Sequence, residues 1–191
     1  MDTSKTRAQV FKGLKHLNIP TKLSSDLQYS NIGYAIAAEA AANVAGIPYE
    51  RLVLDKIFRP LGLTNTGFLR EMGKHSNYAM PFYADSLKDA QEGRFHEGVL
   101  EPTFGVTAAA GDIYSNVYDL LSWGNTIMKF GELNGKQVLN KEAVEEQLKA
   151  HTIYRSVKTM PELGPAANYG FGWFMDSYKG QSVYFHGKKN E

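Results

Sequence analysis

The sequence predicts an α+β fold: a mostly helical chain that ends in a C-terminal antiparallel hairpin from an incomplete sheet. Apolar residues recur at helical spacing in several segments before residue 150. The last 23 residues change to an alternation of period two, which is typical of strands. An isolated hairpin is not stable in water, so the predicted sheet needs further strands or a helix layer.

Two helices are predicted in the first 46 residues. The first runs from about Lys5 to Leu17 and is ended by Pro20. The second starts at Asn31, a good N-cap residue, and ends at Gly46, where a left-handed cap belongs. Its alanines permit close packing, and its predicted apolar face comprises Ile32, Ile36, Ala40 and Val44.

A third helix is predicted after Pro48, and the Pro60-Leu61-Gly62 stop should turn the chain sharply. From Leu63 to Gly105 no period holds for long, so this connection is predicted to be irregular. Connections of this kind carry function or decorate a core more often than they form one.

Two more helices are predicted further along. Ser115 is expected to cap the first, and its broad apolar face predicts burial; the face comprises Val117, Leu120, Leu121, Trp123, Ile127 and Met128. Asn140 is expected to cap the second, with Glu142 near its positive end and Lys149 near its negative end. Gly131 to Lys136 between them is predicted to be a turn rather than a phosphate loop, because it is one residue short and follows a helix.

The end of the chain predicts a hairpin with its turn near Ser177 to Gly180. Before the turn, one face is formed by alternating residues: Tyr169, Phe171, Trp173 and Met175. After it, Val183 to Phe185 forms a second β-branched and aromatic run.

Composition limits the possible functions. The 191 residues predict one domain, 1–191, and the net charge of +1 makes nucleic acid an unlikely partner. Without cysteine there is no thiolate nucleophile or thiolate-bound metal, while the compartment stays open. No apolar run is long enough to predict a membrane segment. Four scattered histidines predict surface residues rather than metal ligands: His16, His75, His96 and His151.

The triplet Tyr29-Ser30-Asn31 allows two interpretations. Asn31 can cap a helix with Tyr29 packed at its entrance, which capping statistics favour when the triplet is taken alone. Alternatively both side chains face a cleft, where an amide holds a substrate carbonyl and the phenol moves a proton. A phenol with a pKa of about 10 is a poor base at neutral pH, so that use needs a nearby cation.

Four phrases resemble the serine β-lactamase and penicillin-binding-protein superfamily, nearest to the branch of class C β-lactamases, esterases and D-aminopeptidases. YSNIGYAIAAEAAANVAGIPYERLVLDKIFRPLGLTNTGF carries the family's Tyr-x-Asn and its "I-F-x-P-L-G-M" phrase. Ala109 to Ser115, followed by Asp119 and Leu120, resembles the segment ahead of its "S-T-x-x-D-L" helix. Tyr169 to Trp173 resembles "Y-G-x-G-W", and Phe185-His186-Gly187 resembles the element with "H-x-G", although Lys188 stands where a second glycine is usual.

The resemblance implies the β-lactamase/transpeptidase-like fold and acyl transfer through a serine ester. It implies that Tyr29 takes part in proton transfer, that Asn31 orients the substrate, and that His186 and Gly187 line the opposite wall. The implied substrate is a β-lactam, a D-amino-acid peptide or an ester. No metal or organic cofactor is implied.

The family's nucleophile motif, Ser-x-x-Lys, is absent: none of the eleven serines is followed three residues later by lysine. The chain as it stands is therefore predicted not to form an acyl-enzyme. In the family this motif precedes Tyr-x-Asn and further strands follow "H-x-G", so the sequence is expected to be a fragment. A non-catalytic binding or scaffold protein of the same fold is the alternative, and self-association would follow from an uncovered apolar face.

Overall fold

The computed structural model describes residues 7–16, 18, 27–100, 103–154 and 167–187. The chain divides into two compact units, one formed by residues 1–15 and 31–119 and the other by residues 16–30 and 120–191. Helices and small antiparallel sheets occur together, so the predicted α+β class is confirmed. No helix in the described ranges is long and apolar enough to cross a membrane.

The first unit begins with helices α1 (Arg7–Leu14), α2 (Asn31–Ala45) and α3 (Tyr49–Val53). Lys5, Leu17 and Pro20, the predicted limits of the first helix, lie outside the described residues. α2 begins within one residue of the predicted start, with Asn31 as its first helical residue instead of its N-cap. Gly46 follows it with a φ of 68°, the left-handed conformation expected of a glycine cap.

The predicted apolar face of α2 was wrong. Its buried residues are three alanines at helical spacing: Ala35, Ala38 and Ala42. Ile36 is exposed, and Val44 retains 92% of its accessible surface. This alanine face packs against a 3₁₀ segment, Gly105–Ala110, because small side chains let the two backbones approach closely.

α3 continues into a single π-helical stretch, Leu54–Phe58, which the sequence did not predict. The predicted stop follows, with Gly62 at a φ of 66°. The core of this unit lies around this corner, where five apolar side chains are buried: Val53, Phe58, Leu61, Leu63 and Phe68.

The connection between Leu63 and Gly105 is irregular, as predicted. Its elements are β1 (Gly67–Phe68), α4 (Leu69–Met72), β2 (Phe82–Tyr83), α5 (Leu87–Gln91) and β3 (His96–Glu97), none longer than five residues. β2 pairs with β3, and β1 pairs with β4 (Ile113–Tyr114), both antiparallel.

Two buried aspartates hold the segments around β4. Asp112 accepts hydrogen bonds from the backbone N–H of Phe104 at 2.6 Å and from the hydroxyl of Thr103. Asp119 accepts from the backbone N–H of Asn65 at 2.8 Å and from the hydroxyl of Thr66 at 2.7 Å. Buried carboxylates are tolerated because each is satisfied by such donors.

Helix α6 (Val117–Met128) corrects two predictions. Asn116, not Ser115, accepts the capping hydrogen bond from the backbone N–H of Asp119, at 2.9 Å. The predicted burial of its apolar face was wrong: Val117, Leu120, Leu121 and Met128 are exposed, whereas Ile127 is buried with the polar Asp119 and Thr126. Thr126 is tolerated inside because its hydroxyl donates to the carbonyl of Ser122 at 2.8 Å.

The second unit continues with the hairpin of β5 (Glu132–Leu133) and β6 (Lys136–Gln137) and with helix α7 (Lys141–Gln147). The predicted turn is confirmed, with Asn134 and Gly135 at φ values of 50° and 77°. The cap is confirmed as well, because Asn140 Oδ1 accepts from the backbone N–H of Ala143 at 2.7 Å.

A four-stranded antiparallel sheet closes the described chain, in the order β10-β9-β8-β7. Its strands are β7 (Thr152–Tyr154), β8 (Ala167–Tyr169), β9 (Phe174–Tyr178) and β10 (Gln181–Phe185). The predicted hairpin is β9 and β10, whose turn residues Lys179 and Gly180 have φ values of 50° and 77°.

The predicted alternation from Tyr169 to Met175 does not form one strand. Tyr169 and Met175 are buried on separate strands, and the chain turns between them. The turn is closed by a hydrogen bond of 2.9 Å from Gly170 N–H to Trp173 O, and Gly172 has a φ of 83°. The prediction was wrong because Gly170 and Gly172, at alternate positions, fit both a turn and a strand with small residues on one face.

Candidate functional site

The second unit gathers four rings around the end of β10. The ring centroid of Tyr29 lies 6.2 Å from that of His186 and 6.4 Å from that of Tyr169. Phe174 completes the cluster, 5.5 Å from His186 and 4.7 Å from Tyr169. Tyr169 is only 5% exposed and forms its floor, whereas Tyr29 is 48% exposed. The cluster therefore holds one exposed phenol beside one exposed imidazole.

His186 is oriented by the turn before β9. Its Nδ1 lies 2.8 Å from the carbonyl oxygen of Gly172. A carbonyl oxygen only accepts, so Nδ1 carries the hydrogen of this bond. Tilted ring contacts with Tyr29 and Phe174 add apolar contact area around the imidazole.

The other predicted site residues have simpler surroundings. Asn31 belongs to the first unit and opens α2 there as an exposed residue. Gly187 follows His186 and is exposed, and a Cβ added to it would meet no atom within 4 Å. Lys188, the departure from the family pattern, lies outside the described residues.

Three residues that contact His186 were not predicted as site residues: Tyr169, Gly172 and Phe174. The signal for them was present in the Tyr-Gly-Phe-Gly-Trp-Phe run, which was interpreted only as a strand. Because a second glycine two residues after the first relaxes the backbone, the run also favours a turn. No group of three His, Cys, Asp or Glu within the described ranges is arranged to hold a metal ion.

The first unit has a separate cavity of about 500 Å³ at the junction of α1, α2 and α3, lined in part by Arg7, Glu39 and Glu50. The Arg7 guanidinium donates to Glu50 Oε1 at 3.0 Å. Burial raises the pKa of Glu50, but its own backbone N–H and the Arg7 guanidinium outweigh burial and hold that pKa below its ordinary value. Burial, with the Glu50 charge second, raises the pKa of the neighbouring Tyr49.

Residues 2–187 match the family model described as Beta-lactamase. This match covers nearly the whole chain. The chain therefore belongs to the β-lactamase family, the β-lactamase-like serine hydrolases. The predicted β-lactamase/transpeptidase-like fold is thereby confirmed, and structural neighbours agree with it.

Two curated proteins illustrate the kinship. The putative penicillin-binding protein PbpX of Bacillus subtilis is 26% identical over 157 residues, which cover 81% of this chain and 34% of PbpX. The D-alanyl-D-alanine-carboxypeptidase/endopeptidase AmpH of Escherichia coli is 29% identical over 120 residues, or 62% of this chain and 27% of AmpH. The chain thus spans about a third of the length of the curated relatives that it matches.

Solved structures share the fold at low identity. The octameric penicillin-binding protein homologue from Pyrococcus abyssi superposes with a TM-score of 0.72 at 23% identity, over 96% of this chain and 38% of that one. The D-amino acid amidase of Ochrobactrum anthropi SV3 gives a TM-score of 0.66 at 21% identity, over 97% and 50% of the two chains. At this identity the likeness establishes the fold.

Proposed function

We propose that this chain carries part of the acyl-transfer site of a β-lactamase-related serine hydrolase. The observation behind the proposal is the pairing of Tyr29 with His186, which belong to two separate family motifs and lie with ring centroids 6.2 Å apart. In this proposal Tyr29 takes part in proton transfer and Asn31 orients the substrate. His186 and Gly187 line the wall that contacts the substrate.

The substrate class is a β-lactam, a D-amino-acid peptide or an ester. The names of the relatives and structural neighbours support the first two of these, since they include a D-alanyl-D-alanine carboxypeptidase, a D-amino acid amidase and a class C beta lactamase. All three names describe attack on a carbonyl group bound to nitrogen.

We further propose that the 191-residue chain does not turn over such substrates by itself. No serine in it is followed by lysine at the third position, so Tyr29 has no activated hydroxyl of the family's kind to serve. A penicillin-type probe and a fluorophosphonate are expected to leave the chain unlabelled in intact-mass spectra. A stoichiometric adduct on any serine would contradict this part of the proposal.

Binding without turnover tests the site residues. A D-alanyl-D-alanine peptide is expected to shift the NMR signals of the His186 ring at millimolar concentration, and His186→Ala should abolish its binding. His96→Ala is a matched control, because His96 is also an exposed ring in a tilted contact with a tyrosine, its centroid 5.3 Å from that of Tyr83. Equal loss of binding in both variants, or no binding by the parent chain, would contradict the assigned site.

The second candidate function is a non-catalytic binding or scaffold protein, and the exposed apolar face of α6 favours it. The only charged residue of that helix, Asp119, is buried, so its exposed surface is uncharged. Exposed apolar surface of this kind commonly marks a protein interface. We propose that a second copy of the chain covers it, and the octameric state of the Pyrococcus abyssi homologue is consistent with self-association.

We also propose that residues 1–191 form one partial domain. The two tryptophans, Trp123 and Trp173, both fall in the second unit, so tryptophan fluorescence follows that unit while far-UV circular dichroism follows the whole chain. Coincident thermal transitions by the two signals are expected. Two separated transitions would instead indicate two domains.

A further inference from the structure

The contact between His186 and Gly172 limits which hydrogen bonds the imidazole can make. Nδ1 is committed as a donor to the Gly172 carbonyl, at 2.8 Å. A neutral imidazole has one donor and one acceptor nitrogen, so Nε2 is then the acceptor. No hydrogen bond to Nε2 occurs from any residue that the structure describes.

The backbone holds the Gly172 carbonyl in place. Gly172 has a φ of 83°, a conformation that glycine adopts freely and that β-branched residues adopt at a cost. The turn is closed by a hydrogen bond from Gly170 N–H to Trp173 O at 2.9 Å, and Phe171 N–H ties it to the end of α7 by donating to Gln147 O at 3.0 Å. Backbone hydrogen bonds before and after Gly172 therefore fix the direction of its carbonyl group.

We propose that Gly172 is a positioning residue that fixes His186 in the Nδ1–H tautomer and thereby sets which ligand group His186 accepts. This rests on the proposed function, in which His186 lines the substrate wall. In neutral form, His186 offers Nε2 to a hydrogen-bond donor of the ligand, such as an amide N–H, a hydroxyl or an ammonium group. It binds a carboxylate or carbonyl oxygen only as the imidazolium, when Nε2 also carries a hydrogen.

The ligand preference is consequently expected to change with pH. The groups that face His186 are the phenols of Tyr29 and Tyr169 and the uncharged ring of Phe174. Phenols ordinarily stay neutral below about pH 9, whereas histidine changes its charge between about pH 5 and 8. The imidazole is thus the ring of this cluster that can gain a second N–H by taking up a proton and so change which ligand group it binds.

The tautomer itself can be measured without a substrate. Long-range ¹⁵N–¹H NMR spectra of the full chain at pH 8.5 distinguish the two neutral tautomers, and His186→Asn identifies the signal among five histidines. The Nδ1–H form is expected for His186, whereas free histidine favours Nε2–H. An Nε2–H tautomer would overturn the proposal. The tautomer is measured without a ligand, so failure of the proposed function, with no substrate binding at Tyr29 or His186, would not change this result.

Variants of Gly172 test its part. Gly172→Asn should keep the Nδ1–H tautomer because asparagine tolerates positive φ, and Gly172→Val should move the tautomer ratio about tenfold towards Nε2–H because it strains the turn. An unchanged ratio in a folded valine variant would overturn the positioning role. If the valine variant unfolds, the test rests on the parent chain and on Gly172→Asn, and loss of the Nδ1–H tautomer in either would contradict the proposal.

The ligand preference is tested with benzoate and benzylamine as matched probes. Benzoate is expected to shift the His186 signals increasingly as the pH falls from about 8 to about 5, and benzylamine to do the opposite. A benzoate response that does not depend on pH, or no response to either probe, would overturn the assigned ligand class.

Discussion

Helices α2 and α6 both present an apolar stripe in the sequence, yet the structure uses them in opposite ways. α2 buries its smallest side chains against the 3₁₀ segment and leaves Val44 in solvent. α6 buries a carboxylate and a hydroxyl and leaves Leu121 with 64% of its accessible surface. Apart from Ile127 in α6, neither helix buries its large aliphatic side chains.

The difference shows that close approach and polar satisfaction can outweigh hydrophobicity in choosing a face. Alanine lets α2 approach the 3₁₀ segment, which itself contributes the buried Thr107 and Ala108. Burial of Asp119 in α6 is tolerated because its carboxylate accepts hydrogen bonds from two donors of the Asn65-Thr66 segment. Periodicity predicts a helix, but its partners determine which side faces inward.

The largest expected effect is on the polar face of α6. Asp119→Ala removes the acceptor of Asn65 N–H and of the Thr66 hydroxyl, so the free energy of unfolding should fall by about 3 kcal/mol. Urea denaturation measures the change. Asp85→Ala, which removes an exposed carboxylate, should change it by less than about 0.5 kcal/mol. Equal effects would mean that the hydrogen bonds of Asp119 to Asn65 and Thr66 do not stabilise the fold.

The alanine face of α2 should resist enlargement. Ala38 is 7% exposed, so Ala38→Leu should lower the free energy of unfolding by about 2 kcal/mol through overpacking against the 3₁₀ segment. Ala41→Leu on the exposed side of the same helix is the control and should be nearly neutral. A tolerated leucine at position 38 would show that the packing is looser than the structure indicates.

The paired charges beside α2 should contribute less, and their contribution should depend on pH. Arg7→Gln is expected to lower the free energy of unfolding by about 0.5–1 kcal/mol at pH 7. Because the pKa of Glu50 is lower in the folded chain, its stabilisation is present above its ordinary value of 4.5 and lost as the pH falls through the folded pKa. The difference between parent and variant should therefore shrink in melting curves recorded below about pH 4. A difference that stays constant down to pH 2 would refute this linkage.

The smallest effect on stability, with a clear effect on assembly, is expected on the apolar side of α6. Leu121→Glu should change the free energy of unfolding by less than about 0.5 kcal/mol, because the side chain is already exposed. It should shift the chain towards monomer in sedimentation velocity if a second copy covers this face. Val44→Glu on α2 is the control and should leave assembly unchanged. A parent chain that is monomeric at high concentration would contradict self-association.

Much of the fold follows from local sequence signals. Gly46, Gly62, Asn134-Gly135 and Asn140 each marked a cap or turn correctly, because their backbone conformations and side-chain bonds are local. Cys-free composition and the missing Ser-x-x-Lys limited the chemistry in the same direct way. Strand β7 was missed because it depends on pairing with the separate strand β8, and the turn at Gly172 was missed because its alternating glycines also fit a strand.

The candidate site was likewise predicted only in part from the sequence. Tyr29, Asn31, His186 and Gly187 were named from sequence phrases, and the β-lactamase family was named with them. Their roles remain predictions. That Tyr29 stands beside His186, over the floor of Tyr169, required the folded second unit.

The sequence by itself determined the family, the positions of the main helices and the absence of the family's nucleophile motif from this chain, because short motifs and backbone preferences express those properties directly. Only the tertiary structure decided which faces of α2 and α6 are buried and which nitrogen of His186 is available. Those properties depend on neighbours brought together over long separations, where packing distance and hydrogen-bond satisfaction outweigh local preference.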